Sequence, residues 1–496
     1  MTFSERPTTK IPTNVTVRLP AGMFSRIRNH MLRTEREQFG LVMAGHSFHD
    51  GALTLLGREY VVPDDKDLDY AHYTGVRISR DFNNAILKRA LAKRLSIIHV
   101  HSHPFAQNSV CFSGVDDRSE QQETLWLHKH FPHVIFGSVV MGQDCMSARI
   151  WTMHDGRPVP IPIQRIWDCD FPLNIVYSSG AMSVDPLSDR FERQVRAFGV
   201  DGQRRMAMTT IGIVGLGGLG SLIAEGMARL GVSRFVLIDP DSVDETNANR
   251  LLGLTGRDIR LRRRKVDVAA RELRRVNSDC KIRGIGLNVS TRRGMAALKQ
   301  CDLIVAATDN HYSRLFLQTF AQQYVVPLLN TGVVIGSSNG NVTDALGDVQ
   351  LFIPGDNNPC LLCSRLINLT TVGHELAHSS LKTMLARSGY IRDNPEPAPA
   401  VRPLNAVTSN LALSMFHNLL CGFSQPVKAV SYNMLAQSIE HYEFPLDAEC
   451  RICGSEGITG LGDTLSMTCY CEKAPRPRIS RRNTEVANGA LQSAGR

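Results

Sequence analysis

The chain has 496 residues and is 43% hydrophobic, 21% charged and 6% aromatic, with a net charge of +9 at pH 7. At roughly 150 residues per domain this length predicts about three domains, and its 12 cysteines are too sparse for a disulfide scaffold. No apolar run approaches the roughly 18 residues of a membrane span, and residues 1–10 lack the apolar centre of a signal peptide, so a cytoplasmic chain is expected.

Residues 12–165 are expected to form a first, mixed α/β domain. Strands are predicted over 41–43, 53–56 and 96–100, with a helix near 82–95 between the last two. The stretch 96–117, SIIHVHSHPFAQNSVCFSGVDD, carries the chemistry of this segment. Side chains alternate along a strand, so His99, His101 and His103 share a face, and Pro104 ends the strand. Two imidazoles at i and i+2 can grip one metal, and Asp116 adds an oxygen from the first turn of a helix. Three protein ligands leave a fourth position open, the arrangement of a catalytic zinc. Such an ion lowers the pKa of water from about 15.7 to about 7. Glu37, in the run EQFGL, is the candidate base. His99 is read as a strand residue lining the site.

The order E-x-x-G-L, then H-S-H-P, then S-G-V-D resembles the JAMM/MPN+ metalloproteases, which include deubiquitinating isopeptidases. The resemblance implies a cytidine-deaminase-like fold, zinc on His101, His103 and Asp116, and Glu37 as general base. It also makes Ser113 the donor to the oxyanion.

Residues 166–187 are read as a linker, and 188–471 as a second domain. Short apolar runs at 211–214, 235–238 and 303–306 alternate with helical stretches, which argues for a parallel, doubly wound, Rossmann-like sheet. The first run enters Gly215, Gly217, Gly218 and Gly220, whose small size lets backbone amides approach a phosphate. Asp239 follows Gly220 by 19 residues and is placed for ribose hydroxyls. A glycine loop alone fits NAD or FAD as well. Its companions are DRFERQ at 189–194, DPDSVDETNANR at 239–250, Lys265 and ATDNHYSR at 307–314. In that order, with two C-x-x-C pairs downstream, they resemble the ThiF/MoeB family and the adenylation domain of ubiquitin-activating enzymes.

That resemblance implies ATP with magnesium as the bound nucleotide. Arg250 and Lys265 would hold phosphates, with Asn247 or Asn249 assisting and Arg263 able to share the role of Lys265. Asp309 would hold magnesium, and Asp241 and Asn310 belong to the same nucleotide-binding motifs. Arg193 would reach phosphate, across a homodimer in symmetric members. Cys360, Cys363, Cys450 and Cys453 supply four thiolates for a closed, structural zinc.

Two basic clusters, 257–265 and 476–482, account for part of the net charge. With no nucleic-acid motif beside them, they are read as a solvated surface and part of a disordered tail over 472–496. The segment 391–403, where ubiquitin-activating enzymes carry their thioester cysteine, has none. Cys421 is read as core; Cys469 or Cys471 could serve instead. The reading favoured is direct attack on the adenylate by an outside nucleophile, either a conjugating enzyme or a sulfur donor.

Taken together, these features predict two activities in one chain of a bacterial-type ubiquitin-like pathway, a kind of system that includes phage-defence operons. A zinc peptidase would trim or deconjugate a ubiquitin-like protein, and an adenylating domain would activate its terminal glycine. Activation of a sulfur-carrier protein is the alternative.

Overall fold

The computed structural model describes residues 11–73, 75–178, 188–355, 358–377, 384 and 399–467. The expected tail, Cys469, Cys471 and most of 391–403 lie outside the described residues.

The first sheet is built from β1 (Asn14–Pro20), β2 (Phe39–His49), β3 (Ala52–Val61), β6 (Ser96–Ser102), β7 (Phe136–Met141), β8 (Met146–His154), β9 (Arg157–Pro162), β10 (Arg165–Cys169) and β11 (Asn174–Tyr177). A separate pair, β4 (Leu68–His72) and β5 (Gly75–Ile78), stands apart from it. The strand order is β11-β10-β1-β3-β2-β6-β7-β8-β9. Helix α1 (Met23–Met31) covers one face, packing Met23, Ile27 and Met31 against Val17, Val42 and Val100. On the other face, α2 (Arg80–Ala92) and α3 (Gly114–His130) enclose a core of Leu41, Ile86, Leu127, Phe136 and Trp151. Both faces are covered, so β6 reads as an almost continuous buried strand.

Residues 166–177, expected to be linker, form β10 and β11, and the first domain therefore extends past 165. Strand β10 pairs parallel to β1 from Thr16↔Arg165 to Pro20↔Cys169, burying Ile166 and Trp167. Their neighbours, the polar Asp168 and Asp170 and the strand-breaking Pro172, hide this strand from a composition reading.

The second sheet follows the order β14-β13-β12-β15-β16-β17-β18-β19. Strands β12 (Thr210–Val214), β13 (Arg234–Ile238), β14 (Lys281–Ile285), β15 (Leu303–Ala306) and the start of β16 (Leu328–Ser338) are parallel, as the alternating pattern predicts. An antiparallel meander of β17 (Asn341–Phe352), β18 (Ala429–Asn433) and β19 (Ser438–His441) completes it. The helices are α4 (Glu192–Phe198), α5 (Val200–Met208), α6 (Gly218–Leu230), α7 (Gly256–Arg260), α8 (Lys265–Val276), α9 (Arg292–Leu298), α10 (His311–Gln323), α11 (Leu369–Leu376) and α12 (Arg402–Cys421). Among the described residues, no helix is long and apolar enough to cross a membrane.

The two sheets share a boundary. Leu56, Trp167, Cys169 and Leu173 of the first belong to the core of the second. Arg18 reaches Asp302 at 3.3 Å and the carbonyl of Cys301 at 2.8 Å, with both charged groups buried. The strip 457–465 lies along the junction. Arg58 donates to the carbonyls of Gly457 and Thr459, and the Gly45 amide donates to that of Gly460. A Cβ on Gly45 would sit 2.2 Å from the Gly460 oxygen, so this approach requires glycine.

Candidate functional site

In the first domain, sheet register assembles the predicted cluster. Strand β2 pairs antiparallel with β6, Phe39 opposite His101. Continuing that register brings Glu37 to His103, and their side chains lie 3.7 Å apart. The Gln38 amide donates to Ser102 Oγ at 2.9 Å and the Ser102 amide to the Gln38 carbonyl at 3.1 Å, which locks the two strand ends together.

Helix α3 delivers Asp116. Ser113 is its N-cap: Ser113 Oγ accepts the Asp116 amide at 3.2 Å, while the Ser113 amide donates to Asp116 Oδ2 at 2.6 Å. This reciprocal cap engages Oδ2 and leaves Oδ1 facing His101 Nε2 at 3.7 Å. The cap uses only Ser113's lone pair, so its hydroxyl proton is still free to donate.

Ligand atoms of His101, His103 and Asp116 all lie within 4.8 Å of one another. An ion held about 2 Å from each atom, as zinc is by His and carboxylate, fits among them. His101 Nε2 is buried with no hydrogen-bond partner, a costly state that a metal would relieve. Burial pulls His101 down to about 4 and lowers His103 as well, which favours the neutral imidazoles a metal requires. Burial, with the Asp116 charge adding, pushes the Glu37 carboxyl up to about 7. His99 stays out of the cluster, edge-on to Phe39 at 5.2 Å and Phe136 at 4.9 Å.

In the second domain the glycine loop joins β12 to α6. Gly215 has φ +89°, and a Cβ there would meet the Ala307 carbonyl at 2.4 Å. At Gly220 a Cβ would lie 1.8 Å from the Gly215 oxygen, so loop and helix close on each other only as glycines. Gly217, the N-cap of α6, faces open space. Backbone amides at a helix start with room in front of them suit a phosphate.

Asp239 follows β13, and its carboxylate accepts the Leu216 amide at 2.7 Å and the Asp241 amide at 2.8 Å. It braces the glycine loop, and any ribose hydroxyl would share these oxygens. Lys265 pairs with Asp241 at 2.8 Å. Burial disfavours its charge, but Asp239, Asp241 and Asp309 together raise its pKa. Arg250 donates to the Thr246 carbonyl at 2.6 Å and to Asn249 Oδ1 at 2.9 Å, and its stem lies 3.3 Å from a Cβ placed on Gly218. Asn249 in turn donates to the Ala400 carbonyl at 3.3 Å. Asn247 caps a short turn at Asp244, and Asn310 caps α10 by accepting the Ser313 amide at 2.7 Å. The Asp309 carboxylate is exposed after β15.

One expectation is corrected. Arg263 turns to Asp258 at 3.5 Å, in the group that also binds Arg271, and so does not share the place of Lys265. Arg193, expected to reach phosphate, across a homodimer in symmetric members, does not reach the loop within its own chain. Its neighbours Phe191 and Gln194 pack on Gly231 and Leu230, at the far end of α6. A 13-residue helix separates them from the glycines, about 20 Å at 1.5 Å per residue.

The four cysteines converge. Sγ–Sγ separations are 3.7 Å for Cys360–Cys450, 3.8 Å for Cys360–Cys363 and 3.7 Å for Cys363–Cys453. These are far longer than a disulfide and match the edge, about 3.8 Å, of a tetrahedron with 2.3 Å Zn–S bonds. The residues therefore fit a closed zinc site. Cys421 is half-buried against α5, where burial pushes its thiol up. Among the described cysteines of the second domain none is exposed.

Sequence reasoning missed the polar row of α12. Asn405 is 2% exposed, and its Nδ2 lies 2.3 Å from a Cβ on Gly218. Ser409 donates to the Leu219 carbonyl at 3.4 Å. The signal was Asn405, Thr408 and Ser409 recurring at helical spacing in a mostly apolar helix.

A glycine loop at the carboxyl ends of parallel strands, closed by an acidic residue after the second strand, defines a nucleotide-binding α/β domain. A family model, the ThiF family, matches residues 191–451, more than half of the chain, and the chain belongs to that family. The match leaves the first sheet outside it.

The chain is 30% identical over 179 residues to the sulfur carrier protein ThiS adenylyltransferase of Bacillus subtilis (strain 168), covering 36% of this chain and 50% of that protein. It is 29% identical over 178 residues to the ubiquitin-like modifier-activating enzyme 5 of Oryza sativa subsp. japonica, covering 33% and 40%. It spans at most half the length of these relatives. The molybdopterin-synthase adenylyltransferase of Escherichia coli (strain K12) is 26% identical over 270 residues, covering 53% of this chain and 96% of that protein. Among solved structures, E. coli MccB with ATP covers 54% of this chain and 75% of that one, at 21% identity and a TM-score of 0.42.

Proposed function

We propose that this chain adenylates the C-terminal carboxylate of a ubiquitin-like or sulfur-carrier protein with its second domain, and cuts peptide or isopeptide bonds of such a protein with its first. Family membership together with the built glycine loop carries the first half of this reading. The cluster of His101, His103 and Asp116, with an unpartnered His101 Nε2, carries the second.

Adenylation joins a carboxylate to the α-phosphorus of ATP and releases pyrophosphate, so two anions must be brought together. Amides of the glycine loop would take phosphate oxygens, and Arg250 and Lys265 would offset their charge. Asn247 and Asn249 would assist, and Asp309 would hold magnesium. Asp239 and Asp241 would orient the ribose side, with Asn310 ordering the start of α10. Arg193 would come from a second copy in a homodimer, because within one chain it stands at the wrong end of α6. The four cysteines would hold a structural zinc that staples the domain. A conjugating enzyme's cysteine or a sulfur donor would then attack the adenylate from outside.

In the first domain His101, His103 and Asp116 would hold a JAMM-type catalytic zinc. Such an ion supplies a Lewis acid and a water of lowered pKa. Glu37, beside His103, would take that water's proton and pass it to the leaving amine. Ser113 would donate its hydroxyl proton to the developing oxyanion.

With [³²P]pyrophosphate and ATP, the purified chain should catalyse exchange only when a glycine-ended ubiquitin-like partner is added. Absence of exchange with every such partner would sink the adenylation reading. Similarity to the ThiS and molybdopterin-synthase adenylyltransferases favours a sulfur-carrier partner as the second reading. That partner would emerge heavier by the exchange of oxygen for sulfur, a thiocarboxylate visible by mass spectrometry.

A further inference from the structure

Behind the histidine–aspartate cluster, strand β8 presents three alternating side chains to α3 and to the loop after β6. Each holds a different part of the cluster's support. Ser147 Oγ donates to the Val110 carbonyl at 2.7 Å and pins the loop that follows His103. Arg149 lies two residues on, its guanidinium 3.7 Å from the ring centroid of Phe112. Phe112 in turn tilts against the His101 ring at 6.1 Å. Arg149 also donates to Asp117 Oδ1 at 2.6 Å and to Glu120 Oε2 at 2.8 Å, bridging two carboxylates of α3. Trp151, third in the row, donates to the same Glu120 oxygen at 2.5 Å. Ser138 on β7, paired with Arg149, adds a hydrogen bond to it at 2.8 Å.

Glu120 is 6% exposed, so its charge is held entirely by this set of donors. A carboxylate so placed is costly unless paired, and removing one partner of a buried pair leaves the other uncompensated. Such an expense on a helix whose other buried side chains are only Thr124 and Leu127 calls for a function beyond packing. The network ends at Asp117, the neighbour of Asp116, and at Phe112, the neighbour of His101.

Resting on the metalloprotease reading of this cluster, we propose that Arg149 is a positioning residue of the metal centre, with Glu120 as its anchor. Its guanidinium fixes the rotation of α3, and hence the aim of Asp116 Oδ1. Through Phe112 it also sets the orientation of the His101 ring. Arginine suits this place because its planar fork binds two carboxylates while its face stacks on an aromatic ring. Lysine offers one point charge and no plane.

The test is zinc affinity of the full chain, measured by competition with a chromogenic chelator after the four-cysteine site is saturated. Loss of an outer partner of metal ligands typically costs about 10–100-fold in affinity. R149A is expected to weaken the first-domain zinc by about that factor, with R149K intermediate. Zinc on Cys360, Cys363, Cys450 and Cys453 and pyrophosphate exchange should be unchanged. E120Q, which keeps the side-chain volume, should weaken the same zinc and carries the test if R149A does not fold. Unchanged affinity in both E120Q and a folded R149A would overturn the positioning role while leaving the metalloprotease reading intact. A wild-type chain that binds only the four-cysteine zinc would overturn both.

Discussion

At the scale of single residues, the glycine loop makes the sharpest demand. Gly220→Ala places a methyl group 1.8 Å from the Gly215 oxygen, against the backbone of Gly215 and the Cβ of Ala307, with no flexible side chain to yield. Overpacking of this kind costs about 1–3 kcal/mol and would separate α6 from the loop. Pyrophosphate exchange should fall below detection in Gly220→Ala, with a lowered Tm by calorimetry. Gly215 and Gly220 were legible in the sequence because a side chain at either place would meet backbone. Asp239 was legible in position but not in task, since only the structure shows both its oxygens accepting loop amides. A side chain's type announces chemistry; its partners decide which chemistry.

Asp168 gives a residue-scale prediction about pH. Burial, with Asp170 adding to it, pushes its carboxyl up to about 7, and Oδ1 has no hydrogen-bond partner. An unfolded aspartate titrates near about 3.9. The folded chain therefore holds this proton more tightly than the unfolded chain does. Its contribution to stability is fully present below about pH 4 and is lost as pH rises toward about 7. Asp168→Asn removes that dependence. The Tm difference between variant and wild type should move in the variant's favour from pH 4 to pH 7 and then level off. A difference independent of pH over that range would contradict the assignment.

At the scale of elements, strand pairing and helix capping explain why motifs scattered along the chain meet. Glu37 stands more than sixty residues before His101 in sequence, yet the β2–β6 register brings it to His103. The cap at Ser113 turns a serine and an aspartate three residues apart into an oriented pair. Strands rich in one chemistry, such as β6, β12 and β15, were legible. Strand β10 was not, because only Ile166 packs in the first sheet's own core, while Trp167 and Cys169 are buried by the second domain. The supports were hidden for a related reason: Asn405, Glu120 and Arg149 look like ordinary polar residues until the facing element is known.

The four-cysteine site is an element in its own right. Cys450→Ser removes one thiolate from a site whose sulfurs stand 3.7–3.8 Å apart. Structural zinc contributes on the order of 10 kcal/mol in small domains, so the segment 447–465 should lose protection. Hydrogen exchange should rise there and along the facing Gly45–His46 stretch, while α6 and β12 stay protected. Unchanged exchange at 447–465 would argue against a zinc at this place.

At the scale of the whole molecule, the two sheets meet at a buried joint in which a shared apolar core surrounds an ion pair. Arg18 and Asp302 are the centre of that joint, and Asp302 also accepts the Thr210 amide at 2.9 Å. Removing one partner of a buried ion pair typically costs about 3–5 kcal/mol. Asp302→Ala should lower Tm and split a single unfolding transition into two, with the domains melting separately. A single transition at the wild-type temperature would show that the joint carries no stability. The length of the chain suggested about three domains; the described residues build two large sheets, of nine and eight strands, beside the small β4–β5 pair, and the strip 457–465 lies along their junction. No local pattern announces such a joint, because Arg18, Gly45, Gly460 and Asp302 acquire meaning only together.

On the proposed reading, one metal-dependent and one nucleotide-dependent chemistry occupy separate sites in this chain. Native mass spectrometry of the purified chain tests it most directly. Two zinc ions are expected in the wild type. His103→Ala should lose one and keep pyrophosphate exchange, whereas Cys450→Ser should lose the other. A single zinc in the wild type, retained in His103→Ala, would rule out a metal at the histidine–aspartate cluster.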